Sequence, residues 1–173
     1  MKQFTVTRML GPHPFSLFPN PRAGTPGVVV LPNGGFRRAK AEITGWAGYA
    51  PTPLLDLPAL AQGAGIGTLR LKDEAGRFGL GSFKALGGAY AVANLLTNAL
   101  ARSGVAAAAS SADLAAGRYR AATEAITVTC ATDGNHGRSV AWGAQRFGCR
   151  CVIFVHATVS QGRVDAIARY GAE

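Results

Sequence analysis

The sequence predicts an α/β fold in which a parallel, twisted sheet is flanked by helices. From residue 66 onward, strand-like segments alternate with segments of helical spacing. Strands that alternate with helices of this length usually lie parallel and are joined by right-handed crossovers. A chain of 173 residues, 48% of them hydrophobic, is long enough to bury a core of ordinary size. We therefore expect one α/β unit that binds its ligand at the carboxyl ends of the strands.

Prolines dominate the first part of the chain. Several fall within residues 9–27, which excludes regular structure over most of that span because proline fixes φ and has no N–H group to donate. "VVVL" at 28–31 is a short strand candidate, and "YAPTPLLDL" at 49–57 favours an extended approach before a short helix. Residues 1–48 are accordingly predicted to form an extended N-terminal arm.

Regular periodicity begins with "IGTLRLKDE" at 66–74, whose alternation of polar and apolar residues predicts a strand. Residues 84–102 have the spacing of a helix. The alanine-rich segment 103–117 has low complexity, and we expect a surface insertion or a loose helical extension there.

A second strand and helix follow. "AITVTCAT" at 125–132 is a β-rich apolar run, and 135–148 has helical spacing that stops at its final glycine. "CRCVIFVH" at 149–156 predicts another buried strand, and the next helix is expected to begin at Ser160 and end near Gly171. Another strand would begin at this point, so the sequence predicts a unit truncated at its C-terminus.

Composition excludes several classes of partner. The net charge of +9 comes from scattered basic residues, and no nucleic-acid-binding module is recognisable, so we expect no nucleic acid partner. No window of about 18 residues is free of polar breaks, and the N-terminus lacks the apolar block of a secretory signal, so we expect a cytoplasmic protein without a membrane partner. The three cysteines lack zinc-site spacing and are expected to be buried thiols, with no metal site.

"GSFKALGGAY" at 81–90 places Lys84 at the predicted start of a helix. A cation is disfavoured there, because the amino end of a helix carries unpaired N–H groups and the positive pole of the helix dipole. A residue that contradicts a local rule is a candidate functional residue. The helix terminus and partial burial would both favour the neutral amine, which can attack a carbonyl and form a Schiff base. On this stretch alone, a solvated lysine at a frayed helix start is an equal alternative.

"TDGNHG" at 132–137 lies at a second strand-to-helix junction. Backbone N–H groups at such a junction attract a phosphate or a carboxylate. Alternatively, Asn135 is simply the residue that caps the helix, and Asp133 and Gly134 form a turn.

Together, "GSFKALGGAY" and "TDGNHG" resemble the two signature loops of the fold type II pyridoxal-phosphate enzymes, and "PTPLLDL" and "LRLKDE" are similar to that family's lead-in. The resemblance spans about residues 45–173. It implies a partial fold type II (tryptophan synthase β-like) fold, pyridoxal 5'-phosphate as the cofactor, and an incomplete catalytic region over 49–173. "RFGLGSFKALGGAYA", "ATDGNHGRSVAWGAQRFG" and "GRVDAIARYGAE" look most like the diaminopropionate ammonia-lyases of this family.

The resemblance also implies roles for individual residues. Lys84 matches the Schiff-base lysine that holds the cofactor aldehyde, and Asn135 matches the asparagine that bonds the cofactor's ring hydroxyl. The N–H groups around Gly134 and His136 would receive the substrate carboxylate. The imidazole of His136 is expected to belong to a helix-start residue rather than to a base.

Asp133 departs from most of the family, where a small hydroxyl residue stands at this position. A carboxylate beside the substrate carboxylate is repulsive unless it has a task. The matching aspartate of the diaminopropionate ammonia-lyases is thought to act as the base toward the D isomer, and the lysine as the base toward the L isomer. The resemblance therefore implies that Asp133 and Lys84 are the catalytic bases of an α,β-elimination that yields pyruvate and ammonia.

Other functions stay open at this point. A threonine or serine dehydratase would need no second carboxylate at Asp133. A catalytically inactive fragment is a further alternative, because the sequence assigns no residue to the cofactor phosphate or to the pyridine nitrogen. A basic nucleic-acid binder is a distant third. The complete enzyme is expected to be a homodimer that acts on a small amino-acid substrate.

Overall fold

The computed structural model describes residues 32–132 and 134–173. Helices and short strands alternate along these residues. In chain order, the elements are α1 (Asn33–Thr44), β1 (Leu54–Asp56), α2 (Pro58–Gly63), β2 (Arg70–Lys72), a short 3-10 helix (Arg77–Gly79), α3 (Lys84–Arg102), α4 (Ser111–Ala115), α5 (Arg120–Thr123), β3 (Thr127–Ala131), α6 (Asn135–Phe147), β4 (Arg150–Phe154) and α7 (Gln161–Ala168).

Strands β3 and β4 form a parallel pair with α6 as the connection between them. Thr127 lies opposite Arg150, and Ala131 lies opposite Phe154. On the other edge of β4, the N–H of Glu173 donates to the Cys151 carbonyl at 3.0 Å, and the Glu173 carbonyl accepts from the Ile153 N–H at 2.7 Å. The strand–helix–strand order confirms the predicted α/β class.

Strands β1 and β2 form a separate antiparallel ribbon. The sequence predicts a strand at 66–74 within a parallel sheet, but the strand is shorter and pairs antiparallel, with Asp56 opposite Arg70. All six residues of the ribbon are exposed. Parallel strands need apolar residues on both faces because helices cover both sides, whereas a polar and apolar alternation suits an antiparallel pair that faces water. The alternation of this segment therefore predicts the strand and also explains why it does not join the parallel sheet.

The core lies where α3 packs against α6 and the β3–β4 pair. It contains Leu96, Leu100, Val128, Phe147 and Ile153, each less than 9% exposed. Small residues let the two helices approach closely. A Cβ added at Gly143 would lie 2.8 Å from the Cα of Ala89, so the two backbones are almost in contact there.

Helices α3 and α6 run in the same direction. Gly88 faces Ser139, and further along both helices, Ala89 and Val92 face Gly143. Because these contacts advance together, the amino ends of both helices lie at the same end of the helix pair. Lys84 and Asn135 each precede the first of these contacts by four residues, about one helical turn.

Two predictions about the segments outside this core are corrected. The extended arm over 1–48 is wrong for 33–44, which forms α1 after Pro32, while residues 1–31, including the strand candidate at 28–31, lie outside the described residues. Two glycines at the start of α1 conceal its helical pattern. The segment 103–117 is not merely a loose extension, because α4 within it buries Leu114 in the core.

The helices other than α3 are mostly short, and none of the described helices is both long and apolar enough to cross a lipid bilayer. Within residues 32–132 and 134–173, His, Cys, Asp and Glu do not form a group of three that could hold a metal ion. Of the three cysteines, Cys151 is buried, whereas Cys130 and Cys149 are half-buried. Burial raises the pKa of Cys149 and Cys151 to about 11, so these thiols stay protonated at neutral pH.

Candidate active site

The segment that leads into Lys84, residues 76–83, is held at its start by a buried ion pair. The guanidinium of Arg77 is 5% exposed and donates from Nε to Glu74 at 2.7 Å. Arg77 also donates to the Thr52 hydroxyl at 3.0 Å and to the Ala50 carbonyl at 2.8 Å, and it stacks over the ring of Tyr49. These bonds connect residues 49–53 to the start of residues 76–83, which we call the lysine loop.

The same ion pair shifts the titration of its carboxylate. The hydrogen bond from Arg77, helped by another from Thr52, lowers the pKa of Glu74 to about 2, although desolvation opposes the shift. A buried carboxylate that stays ionised needs such partners. Glu74 is therefore charged throughout the physiological range, and the pair serves as a fixed anchor.

Phe78 follows Arg77 and places an aromatic side chain beside α6. Its ring centroid lies 5.0 Å from that of Trp142 and 6.1 Å from that of Trp46. Its φ of 49° is in the left-handed region, which is unusual for a residue with a side chain. Gly79 and Gly81 also have positive φ, at 71° and 64°. Glycine tolerates this backbone without strain, so the "FGLG" sequence permits the sharp turn before Lys84.

Lys84 is the first residue of α3, as the sequence predicts. The Ser82 hydroxyl accepts a hydrogen bond from the Lys84 backbone N–H at 3.2 Å, and Nζ lies 5.3 Å from the centroid of the Phe83 ring. The expected partial burial is wrong for the described residues, which leave Lys84 exposed. The side chain can therefore reach a ligand from the amino end of the helix.

The second loop places Gly134, Asn135 and His136 at the amino end of α6. Gly134 precedes the helix, and its N–H donates to the Thr132 hydroxyl at 3.3 Å. Asn135 and His136 are exposed, and no side chain among the described residues caps α6. The sequence prediction for Asp133 falls outside the described residues. The N–H groups of this first turn can thus bind an anion, because they point out of the helix end.

Arg138, in the first turn of α6, connects the two loops. Its Nη1 donates to the Leu80 carbonyl at 2.9 Å, and its Nη2 lies 3.5 Å from the Gly79 carbonyl. Sequence reasoning assigns no role to Arg138 or to the Arg77–Glu74 pair. The signal for Arg77 is its position inside the "RFGLGSFK" segment, but Arg138 could not be found without the packing of α6 against the loop.

Comparisons with known proteins agree with these features. Residues 46–173 match the family described as "Pyridoxal-phosphate dependent enzyme". The chain belongs to this family, as the two loops indicate.

Relatives within the family carry a more specific name. The diaminopropionate ammonia-lyase of Escherichia coli (strain K12) is 45% identical over 131 residues, which are 73% of this chain and 30% of that protein. The enzyme of the same name from Salmonella typhimurium (strain LT2) is 40% identical over 125 residues, 72% of this chain and 30% of that one. The chain therefore spans about 30% of the length of the curated relatives it matches.

A solved structure shares the fold. The Escherichia coli diaminopropionate ammonia lyase in complex with an aminoacrylate-PLP azomethine reaction intermediate superposes with a TM-score of 0.63 and 41% identity, covering 79% of this chain and 32% of that chain. The resemblance to fold type II pyridoxal-phosphate enzymes is thereby confirmed, and so is the expected partial fold.

The donors at the two helix ends fit part of this cofactor. An exposed primary amine suits the aldehyde, and an amide with neighbouring backbone N–H groups suits the ring hydroxyl and a carboxylate. Among residues 32–132 and 134–173, we assign none to the cofactor phosphate or the pyridine nitrogen. The described residues therefore fit the reacting side of the cofactor.

Proposed function

We propose that this chain carries the lysine loop and the asparagine loop of an ammonia-lyase that degrades 2,3-diaminopropionate. The reaction consumes one water and yields pyruvate and two molecules of ammonia by α,β-elimination. The observation that carries the proposal is the position of Lys84 and Asn135 at the amino ends of two packed helices that run in the same direction. The relatives named diaminopropionate ammonia-lyase support the choice of substrate.

Each proposed residue has a defined task. Pyridoxal phosphate, when bound, supplies the electron sink that makes the α-proton of an attached amino acid removable. Lys84 would hold the cofactor aldehyde through its side-chain nitrogen, and its amine, when free, would accept the α-proton of the L isomer. Asn135 would bond the ring hydroxyl.

The substrate carboxylate is proposed to bind at the amino end of α6. The backbone N–H groups of Gly134 and His136 would donate to it, and the helix dipole would favour its charge. Asp133 is proposed as the base toward the D isomer, on the family resemblance alone. In this arrangement, the helix end would orient the amino acid, Lys84 would remove the α-proton of the L isomer, and Asp133 would remove the α-proton of the D isomer.

The setting of the enzyme is proposed on the same resemblance. Residues 49–173 would be part of a catalytic region that works as a homodimer in the cytoplasm. Its partner is a small amino acid, with neither nucleic acid nor a membrane involved.

Reductive trapping tests the proposal. The chain is incubated with pyridoxal phosphate, reduced with borohydride, digested and analysed by mass spectrometry. We expect the pyridoxyl label on Lys84, because reduction makes even a weak attachment permanent. The Lys84→Arg variant should lose that label, and exposed Lys40 and Lys72 serve as internal controls for nonspecific reaction. Labelling of all lysines to the same extent would contradict the proposal.

Substrate choice is tested separately by release of the 2-oxo acid, which is pyruvate from 2,3-diaminopropionate and L-serine and 2-oxobutyrate from L-threonine. The expected order is 2,3-diaminopropionate well above L-serine and L-threonine. The reverse order would favour the dehydratase alternative.

A further inference from the structure

Arg138 links the two loops through one side chain. Its guanidinium reaches two successive carbonyls, those of Gly79 and Leu80, which precede Lys84 by five and four residues. Arg138 itself follows Asn135 by three residues on α6. A planar guanidinium can bond two acceptors with a fixed spacing, which a single ammonium cannot do. The contact thus fixes the lysine loop in both distance and orientation relative to α6.

The backbone of the loop makes this external donor necessary. Phe78, Gly79 and Gly81 have positive φ and Leu80 between them has a φ of −90°, so the backbone enters the left-handed region twice between Arg77 and Ser82. A backbone of this kind does not continue a regular helix or strand ladder, and its carbonyls need partners from elsewhere. Arg138 supplies them at the point where Leu80, 2% exposed, anchors the loop in the core.

The segment between this anchor and Lys84 is short. Gly81, Ser82 and Phe83 separate Leu80 from Lys84, and the bond from the Lys84 N–H to the Ser82 hydroxyl is local. The Arg77–Glu74 pair holds the far side of the turn, seven residues before Lys84. Arg138 is therefore placed to decide where the amino end of α3 sits relative to the amino end of α6.

We propose that Arg138 is a positioning residue that holds Lys84 in register with Asn135. The reason for this positioning rests on the proposed function, because Lys84 and Asn135 would have to contact the same cofactor molecule. Its structural part does not need the cofactor: without the guanidinium, residues 79–86 should open locally while the β3–β4 core stays closed.

Hydrogen exchange measured on the full chain tests the structural part. In Arg138→Met, exchange of the amides of 79–86 should be about tenfold faster or more, because hydrogen bonds to a charged donor are lost. Arg138→Lys should show an intermediate change, since an ammonium cannot bridge both carbonyls. The matched control is Arg150→Met, because Arg150 also donates to a backbone carbonyl, that of Ala125 at 3.3 Å, but away from the loops. This control should leave 79–86 unchanged.

Three results would overturn the structural part: unchanged exchange of 79–86 in Arg138→Met, an equal increase across β3 and β4, or the same effect in the control. If Arg138→Met does not fold, Arg138→Lys decides, with the same readout.

Borohydride labelling of Lys84 tests the functional part. The pyridoxal phosphate concentration for half-maximal labelling should rise about tenfold in Arg138→Met and less in Arg138→Lys. A loosened loop with unchanged labelling would contradict the positioning role. No labelling of the unsubstituted chain would contradict the proposed function instead, and the exchange result would still stand.

Discussion

Glu74 shows how one half-buried carboxylate can anchor the segment that leads into Lys84. Its pKa is lowered from 4.5 to about 2, chiefly by the hydrogen bond from Arg77. A carboxyl group whose pKa is lower in the folded state stabilises the fold at pH values above its unfolded pKa. This contribution is therefore complete above about pH 4.5 and is lost as the pH falls towards 2.

The Glu74→Gln variant tests this linkage. We expect a loss of about 3–5 kcal/mol in the free energy of unfolding near neutral pH, because the charge of Arg77 stays buried without its partner. The variant should also lose part of the acid dependence between pH 4.5 and 2. Urea denaturation across this range measures both. Asp56→Asn is the control, since its pair with Arg70 is exposed and is worth about 1 kcal/mol or less. Equal acid dependence in Glu74→Gln and the unsubstituted chain would contradict the linkage.

Asp133 is tested by stereochemistry. In a form of the protein that binds pyridoxal phosphate and turns over diaminopropionate, Asp133→Asn keeps the size of the side chain but removes the basic lone pair. Turnover of D-diaminopropionate should fall about 100-fold or more, the usual effect of removing a positioned general base, and turnover of the L isomer should fall much less. Pyruvate release from each isomer measures the two rates, and labelling of Lys84 should persist. Equal losses on both isomers would mean that Asp133 orients the substrate or shapes the loop.

At the level of elements, the contact between α3 and α6 sets the distance between the two loops. A Cβ at Gly88 would lie 2.8 Å from the Cβ of Ser139 and 3.2 Å from the backbone nitrogen of Val140. Neither neighbour can move without shifting a helix, since Ser139 is fully buried. The close approach therefore depends on glycine at 88.

Adjacent glycines provide a matched test of this contact. Gly88→Ala should destabilise the fold by about 1–3 kcal/mol through overpacking. Gly87→Ala, where an added Cβ meets nothing within 4 Å, should stabilise α3 by about 0.5–1 kcal/mol, because alanine restricts the unfolded chain. Thermal and urea denaturation measure both. Similar effects of the two substitutions would mean that helix propensity, not the α3–α6 contact, decides.

At the level of the whole molecule, the described residues form a buried α/β core and an exposed ribbon. Strands β3 and β4 bury Val128, Cys151 and Ile153, whereas every residue of β1 and β2 is exposed. Segments with few buried apolar contacts open at a lower free energy than the core. The ribbon should therefore open independently of the core.

Hydrogen exchange measures this difference directly. Amides of β1 and β2 should exchange at least about tenfold faster than those of β3 and β4. Arg77→Met should increase the exchange of Tyr49 and Asp73, because Arg77 bonds Ala50 and Thr52 and the Asp73 N–H donates to the Pro53 carbonyl of the same segment. Exchange of all four strands at one rate would show that the ribbon and the core open together.

The sequence by itself determined the family and the elements around the two loops, but neither α1 nor the antiparallel pairing of β2. The start of α3 at Lys84, the start of α6 at Asn135 and the family membership are confirmed, because periodicity, glycine stops and the two loop motifs are local signals. The roles of Lys84, Asn135 and Asp133 stay predictions. Local patterns show which face of an element is buried but not what covers it.

The tertiary structure alone decided which helices, strands and side chains contact one another. The shared direction of α3 and α6, the antiparallel ribbon, and the bonds of Arg77 and Arg138 each join residues far apart in sequence. Such contacts depend on how closely two surfaces can approach and on which carbonyls a turn leaves open. The effect of Gly88 depends on the buried Ser139 of the other helix, and the left-handed turn at 79–81 depends on the guanidinium of Arg138. Neither contact can be recognised from one of its two segments alone.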